Sequence, residues 1–430
     1  MPSRSGPATF AHLPGSYRKE LIMKRHKIHA VLAGCIVATI ASVSASAQAI
    51  SQLCTPKITA NGIVASPKQR YDAGQKAEPP VTDNNAFFAW PDTPMGIIKT
   101  ANGYEFFGSD GGFHSRQMWQ GHWVGNNKWG SVVTTLGTLG NPLGSGAPQD
   151  VSISPNPDPG VNPNYSSYQY MGGGPVYQVP AGMTGAGNLL VTYHAELPND
   201  ALYAALGLAA STDNGLHWTD LGEIIRLNQA YEVGLDGWEI GDGPLVLSPD
   251  GKYFYLYFPD WIANGTLHTT TPAGVDTTTR VSVARALASS VLEAAFGSVR
   301  PHTVPFEKFY KGSWHLQPGI GGETTDLMPR NSSQERGYID IHYDSVLERY
   351  VMTISNDTTF YYAESIDALN WTTATVLGTF DTIAAYPTAV GLGNDPHILG
   401  KSYFVYFTHL PTDGTGWTNG EVRRLTVSCQ

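Results

Sequence analysis

Charge is scarce in this sequence: only 14% of its 430 residues are Asp, Glu, Lys or Arg. Long surface helices with charged faces are therefore not its main architecture. Cysteine is rarer still, with three residues and no cluster of them, so no cysteine-based metal site is expected. Other signatures are absent too. There is no EF-hand spacing, no His-Glu-x-x-His, no Gly-x-Ser-x-Gly elbow and no phosphate-cradling loop. Those absences disfavour serine-esterase and nucleotide chemistry. Only one long apolar run exists, Ala30 to Val43, and it is too short to span a bilayer comfortably.

That run follows Lys24, Arg25 and Lys27 and precedes Ser44-Ala45-Ser46-Ala47. The pattern predicts a signal peptide over 23–47, cut after Ala45-Ser46-Ala47, with residues 1–22 an upstream extension of the reading frame. The mature chain, 48–430, then keeps 20 Lys and Arg against 35 Asp and Glu, a net charge of −15. Nucleic acid and anionic membranes are not expected as partners, because both require a positive surface. A neutral sugar polymer meets no such barrier, and a secreted or periplasmic monomer is expected. Cys35 leaves with the signal. Cys54 and Cys429 remain, and a pair in an exported protein predicts a disulfide, here joining the two ends of the chain.

What the sequence has in quantity is Gly (47), Pro (29) and Tyr (22), a composition suited to many short strands joined by turns. One hairpin plan recurs. Its copies pair Met95–Lys99 with Tyr104–Gly108, Val176–Val179 with Asn188–His194, and Leu245–Leu247 with Tyr253–Phe258. Two further copies pair Tyr338–Ile341 with Arg349–Ile354 and Ile398–Leu399 with Ser402–Thr408. Outer strands follow, as in Leu206–Ala210 and Thr359–Glu364. Asn-Gly and Asp-Gly turns between apolar runs are strong hairpin signals. Small sheets that cannot bury their faces alone are best satisfied by radial packing, so a single all-β, five-bladed β-propeller domain over 48–430 is expected. Ser211-Thr212-Asp213-Asn214-Gly215-Leu216-His217-Trp218 has the spacing of an Asp-box, and Ser365–Trp371 is a degraded copy.

Hairpin geometry brings the residue before each inner strand and the residue after its partner to one rim. The predicted pairs are Asp92 with Asp110, Gly174 with Glu196, Asp242 with Asp260, Asp340 with Asp357, and Asp395 with His409. The result is an acidic funnel. Crowded carboxylates push one another's pKa values apart, which glycoside hydrolysis needs for one acid and one base or nucleophile. Trp90, Trp119, Trp123, Trp238, Trp261 and Trp314 flank it, and flat aromatic faces suit sugar C–H surfaces. Trp90 and Trp238, two and four residues before rim aspartates, are the expected subsite walls. Gly-rich polar loops at 113–116 and 319–326 could add sugar contacts. A channel lined with carboxylates could also hold Ca²⁺, although no cofactor is required.

Across roughly residues 85–428 the blade pattern resembles the five-bladed propeller glycosidases, the group of glycoside hydrolase family 43 and related furanosidases. Among them the layout is most similar to the arabinan-cleaving enzymes. The resemblance implies Asp92, in Pro-Asp-Thr-Pro, as general base and Asp242, in Gly-Asp-Gly-Pro, as the residue that tunes pKa and orientation. The family's acid is a Glu, often before Gly-Pro, and that motif is missing. Glu196 in Tyr-His-Ala-Glu is the first substitute and Glu323 the second. Substrate contacts are expected from Trp90, Asp110, His194, Trp238, Asp340 and Asp395. The expectation is a secreted hydrolase of a polysaccharide, possible rivals being a non-catalytic carbohydrate-binding propeller and a cell-envelope scaffold.

Overall fold

The computed structural model describes residues 51–65, 94–108, 117–119, 122–124, 130–142, 149–168, 170–197, 203–227, 238–241, 243–262, 280–298, 302–315, 322–328, 337–410 and 421–430. All of these lie in the unit Ala49–Gln430. Nearly every element is a strand.

After β1 (Pro56–Ala65), the chain makes β2 (Gly96–Thr100), β3 (Gly103–Gly108), β4 (Gln117–Trp119), β5 (His122–Val124), β6 (Gly130–Gly137) and β7 (Gln149–Ser154). Next come β8 (Tyr170–Gln178), β9 (Leu189–Leu197), β10 (Tyr203–Ser211) and β11 (Trp218–Arg226). They are followed by β12 (Trp238–Ile240), β13 (Leu245–Leu247), β14 (Tyr253–Ile262), β15 (Arg280–Leu287), helix α1 (Ala288–Phe296), β16 (Glu307–Tyr310) and β17 (Ser313–Trp314). The last third holds β18 (Tyr338–Asp344), β19 (Arg349–Asn356), β20 (Thr359–Ser365) and β21 (Thr375–Thr379). It ends with β22 (Ala384–Gly391), β23 (Ile398–Leu399), β24 (Ser402–His409) and β25 (Glu421–Cys429).

Antiparallel pairing runs β2–β3–β6–β7, then β8–β9–β10–β11, β13–β14–β15–β16, β18–β19–β20–β21 and β22–β24–β25–β1. Each run packs on the next through an apolar cluster. Ile98 and Phe107 meet Leu189 and Val191; Leu206 and Leu208 meet Leu256 and Phe258; Val283 meets Met352 and Ile354; Phe360 and Tyr362 meet Val405 and Phe407. The series then returns to its start, since Val390 and Tyr406 of the last run pack on Ile97 and Phe106 of the first. Strands apolar on both faces, as in Leu256–Phe258, are buried on both, which is what radial packing demands. A fully buried Phe254 or Phe258 side chain contributes roughly 1.5–3 kcal/mol. The arrangement is an all-β propeller, and a disulfide joins Cys54 to Cys429.

The expectation of five separate sheets is corrected in one respect. The described strands form four hydrogen-bonded sheets, of 4, 14, 5 and 2 strands. Parallel bridges cause the merger. Ser131 pairs with Gly172, Trp218 with Ile153 and Tyr203 with Trp238, joining the first three runs edge to edge.

Two registers also differ from the expected ones. Tyr170, not Gly174, stands opposite Glu196, because β8 starts earlier and slips between Gly173 and Val176. The inner partner of β24 is β22, with Ala384 opposite His409 and Gly391 opposite Tyr403. Ile398–Leu399 is only a two-residue strand, paired in parallel with Tyr343 and Asp344 of β18.

Candidate functional site

The inner strands share a direction, so their starts and the ends of their partners meet at one rim. His194 and Glu196 stand at the end of β9, with His194 Nε2 3.4 Å from Glu196 Oε1. His194 Nδ1 lies 3.1 Å from the Ile240 carbonyl, which fixes that nitrogen as a donor. Nε2 is then the nitrogen that can exchange a proton with Glu196. Asp260, near the end of β14, accepts a 2.9 Å bond from Thr324 Oγ1, which in turn accepts from Ser282 Oγ. At the end of β24, His409 Nε2 lies 2.8 Å from Asp381 Oδ1 and Nδ1 lies 3.8 Å from Glu421 Oε2. The bond from His409 holds the Asp381 carboxyl below the usual carboxylate range.

Beneath the rim runs a channel lined by Ile97 of β2, Val176 of β8, Leu245 of β13, Asp340 and His342 of β18, and Ala389 of β22. Asp340 Oδ2 accepts the Ala389 N–H at 2.5 Å and faces His342 Nε2 at 2.9 Å. Toward the other mouth, His397 stacks on His342 with ring centroids 6.4 Å apart, and Asp395 Oδ1 lies 3.1 Å from His397 Nδ1. Asp395, His397, Tyr177 and Tyr343 border a cavity of about 150 Å³ at that mouth.

The sequence-predicted residues therefore divide. Glu196, His194 and Asp260 are together at the rim by strand register. Asp340 is two residues inside its strand, opposite Thr353, and buried; Asp357 is in the β19–β20 turn with φ 50°. Asp395 is corrected: it lies in the β22–β23 connection, past Gly391, at the end of the channel opposite His409. The physical reason is that the eight-residue buried strand Ala384–Gly391 outcompetes Ile398–Leu399 as the inner partner of β24. Glu323 is exposed, next to the Thr324 that bonds Asp260. Trp314 is on the outer strand β17, against the Arg285 guanidinium at 4.2 Å, so it is no rim residue. Trp90, Asp92, Asp110, Asp242 and the loop 113–116 lie outside the described residues, and Trp238 is described only by its backbone pairing with Ile262.

Sequence reasoning missed Asp381, His342, His397 and Thr324. Asp381 carried a usable signal, an acid just before the apolar run that is β22. The two histidines carried none, because their meeting depends on the β18 and β22 approach.

No protein-family model matches the chain, and no curated protein matches it. Solved structures do. A glycoside hydrolase family 93 α-L-arabinofuranosidase of Fusarium graminearum with arabinobiose aligns at TM-score 0.42 and 10% identity, over 78% of this chain and 76% of that one. A glycoside hydrolase family 43 enzyme from Xanthomonas citri, complexed with xylose, aligns at TM-score 0.41 and 12% identity, over 78% and 86%. A fructofuranosidase from Schwanniomyces occidentalis, complexed with fructose, aligns at TM-score 0.35 and 12% identity, over 55% of this chain and 41% of that one.

Proposed function

We propose that the protein is a secreted glycoside hydrolase, acting through paired carboxylates on a polysaccharide of the arabinan, pentofuranose type. The observation that carries this reading is the His194–Glu196 pair at the rim, with Asp260 at the end of the neighbouring β14. A carboxyl beside an imidazole that can lend or take a proton is suited to protonating a leaving oxygen. Glu196 is then the general acid, Asp92 the base and Asp242 the modulator, with Trp90, Trp238, Asp110, His194 and Asp340 supplying sugar contacts. The propeller is read as five-bladed, the 14-stranded sheet counting as three blades, and as one domain over 48–430 that acts as a monomer.

The reading requires no cofactor. Among the described residues, the channel carboxylates do not fit Ca²⁺, which takes six or more oxygens. The Asp340 and Asp395 carboxylates there are each committed to a histidine, and no group of three metal-binding side chains occurs among the described residues.

Reducing-sugar release from arabinans, xylans, galactans and bacterial envelope glycans tests the proposal. Release should be lost, by about a thousandfold or more, in both Asp92→Asn and Glu196→Gln. Full release by either variant would remove that residue from its role. Binding without release by the wild type would leave a lectin.

A further inference from the structure

The hydrogen-bond partners in the channel constrain the charge of His342. His342 presents Nε2 to Asp340 Oδ2 at 2.9 Å and Nδ1 to the His397 carbonyl at 3.1 Å. His397 presents Nδ1 to Asp395 Oδ1 at 3.1 Å and Nε2 to the Val176 carbonyl at 2.8 Å. All four partners are oxygens, and a carbonyl or an ionised carboxylate can only accept. A neutral His342 ring has one donor and one acceptor nitrogen, so it would set a lone pair against an oxygen in a largely buried site. The alternative is a protonated carboxyl donating to the ring. It is disfavoured because each oxygen concerned already accepts a backbone N–H, from Ala389 at 2.5 Å and from His397 at 2.9 Å.

We propose that His342 is an imidazolium ion, and that its charged pair with Asp340, continued through the His397 carbonyl, forms a latch across the channel in which His342 is the positioning residue for Asp340. The latch ties together β18, the β22 backbone at Ala389, the β22–β23 connection and the β8 backbone at Val176. The His342 ring faces the buried Asp340 carboxylate, so the charges of that pair balance. Asp340 is held in one orientation with Oδ2 doubly bonded, and among the described residues nothing bonds its Oδ1.

Besides Asp340 and Asp395, the titratable side chains around the rings among the described channel-lining residues are Tyr177, whose ring lies 4.9 Å from that of His397, and Tyr343 at the far mouth. The lining from β2, β13 and β22 is not titratable. Burial opposes charge on His342, but the Asp340 carboxylate, its hydrogen bond and the His397 carbonyl outweigh it and raise the pKa above the ordinary histidine value. Burial likewise opposes charge on Asp395, and the His397 bond and charge outweigh it and lower that pKa. The His342 contribution to stability is therefore complete below about pH 6.5 and is lost as the pH rises through its folded value. The Asp395 contribution is complete above about pH 3.9 and is lost as the pH falls through its folded value.

The test uses mature protein, residues 48–430, labelled with ¹⁵N-histidine. Two-bond ¹H–¹⁵N spectra at about pH 7.5, where an unperturbed histidine is mostly neutral, should show both ring nitrogens protonated in His342. Through-bond backbone correlations assign the rings, so the result does not depend on a variant folding. A neutral tautomer of the His342 ring overturns the latch and leaves the glycosidase reading untouched. In urea unfolding, the advantage of wild type over His342→Gln should shrink between pH 6 and pH 9; a constant advantage overturns the latch. The positioning role rests on the proposed function. It predicts that His342→Gln lowers kcat by about tenfold with KM little changed and removes the alkaline limb of the pH profile. An unchanged limb in an active enzyme overturns that role. Absence of release by wild type sinks the glycosidase reading alone, since the spectra still decide the latch.

Discussion

Lys308 shows how a single buried residue couples blade packing to pH. Its ammonium donates to the Arg226 and Gly322 carbonyls, across strands from two different runs, and the residue is 1% exposed. Burial lowers its pKa to about 8, with the Asp260 charge pulling the other way. The folded state thus favours the neutral amine. Its contribution to stability is complete above the ordinary lysine value, about 10.4, and is lost as the pH falls through about 8. Lys308→Met removes this titration. Its stability relative to wild type should therefore be higher at pH 7 than at pH 10 in urea titrations, and an equal difference at both pH values would refute the assignment.

Elements are held to one another by close approaches that leave no slack. Gly207 in β10 faces Tyr193 in β9, and a Cβ there would lie 1.9 Å from the tyrosine ring. Tyr193 is fully buried and its hydroxyl donates to Asp220 Oδ1 at 2.6 Å, within a set that includes Asn162. Gly207→Ala must displace the ring and break that bond, at a cost of about 2–5 kcal/mol. A fall in the urea midpoint with unchanged slope is the expected result. At the same scale the turn 211–218 is built as a staple. Asp213 Oδ1 accepts the His217 N–H at 2.9 Å, Gly215 adopts φ 83°, and Trp218 is buried. The hairpins were legible in the sequence because their signals are local: turn residues, then alternating or continuous apolar runs. The β22 strand was not. Ala384–Gly391 contains Pro387 and an irregular register between Ala385 and Thr388, so it lacks the turn-bounded hairpin pattern that Ile398–Leu399 imitates.

Closure decides the behaviour of the whole molecule. The first strand, β1, completes the sheet of the last run by pairing with β25, and Cys54–Cys429 locks the same junction. A third device holds it from the neighbouring run. Glu364, fully buried, accepts the Leu53 and Cys54 N–H groups at 2.8 Å each, and Tyr362 Oη donates to it at 2.9 Å. The disulfide spans 375 residues, so the chain-entropy argument puts its contribution near the top of the usual range, about 4–5 kcal/mol. The double variant Cys54→Ser, Cys429→Ser should still fold, because strand pairing and Glu364 remain. It should melt about 5 °C lower by calorimetry. No change in Tm would mean that the strand pairing alone fixes the ends.

By itself the sequence determined the strand-and-turn character, four of the inner hairpins, the meeting of the chain ends and the acidic bias. Each follows from composition or from contacts a few residues apart. Tertiary structure decided which acids share a rim and which lie below it. That choice depends on strand register, and register is set by bulges and by competition between strands distant in the sequence. Asp395 moved to the far mouth for this reason, and Asp340 gained His342 and His397 as neighbours in the channel. The hydrogen-bonded chain from Asp340 through His342 and His397 to the Val176 carbonyl exists only when three inner strands approach one another, and no local pattern encodes that approach.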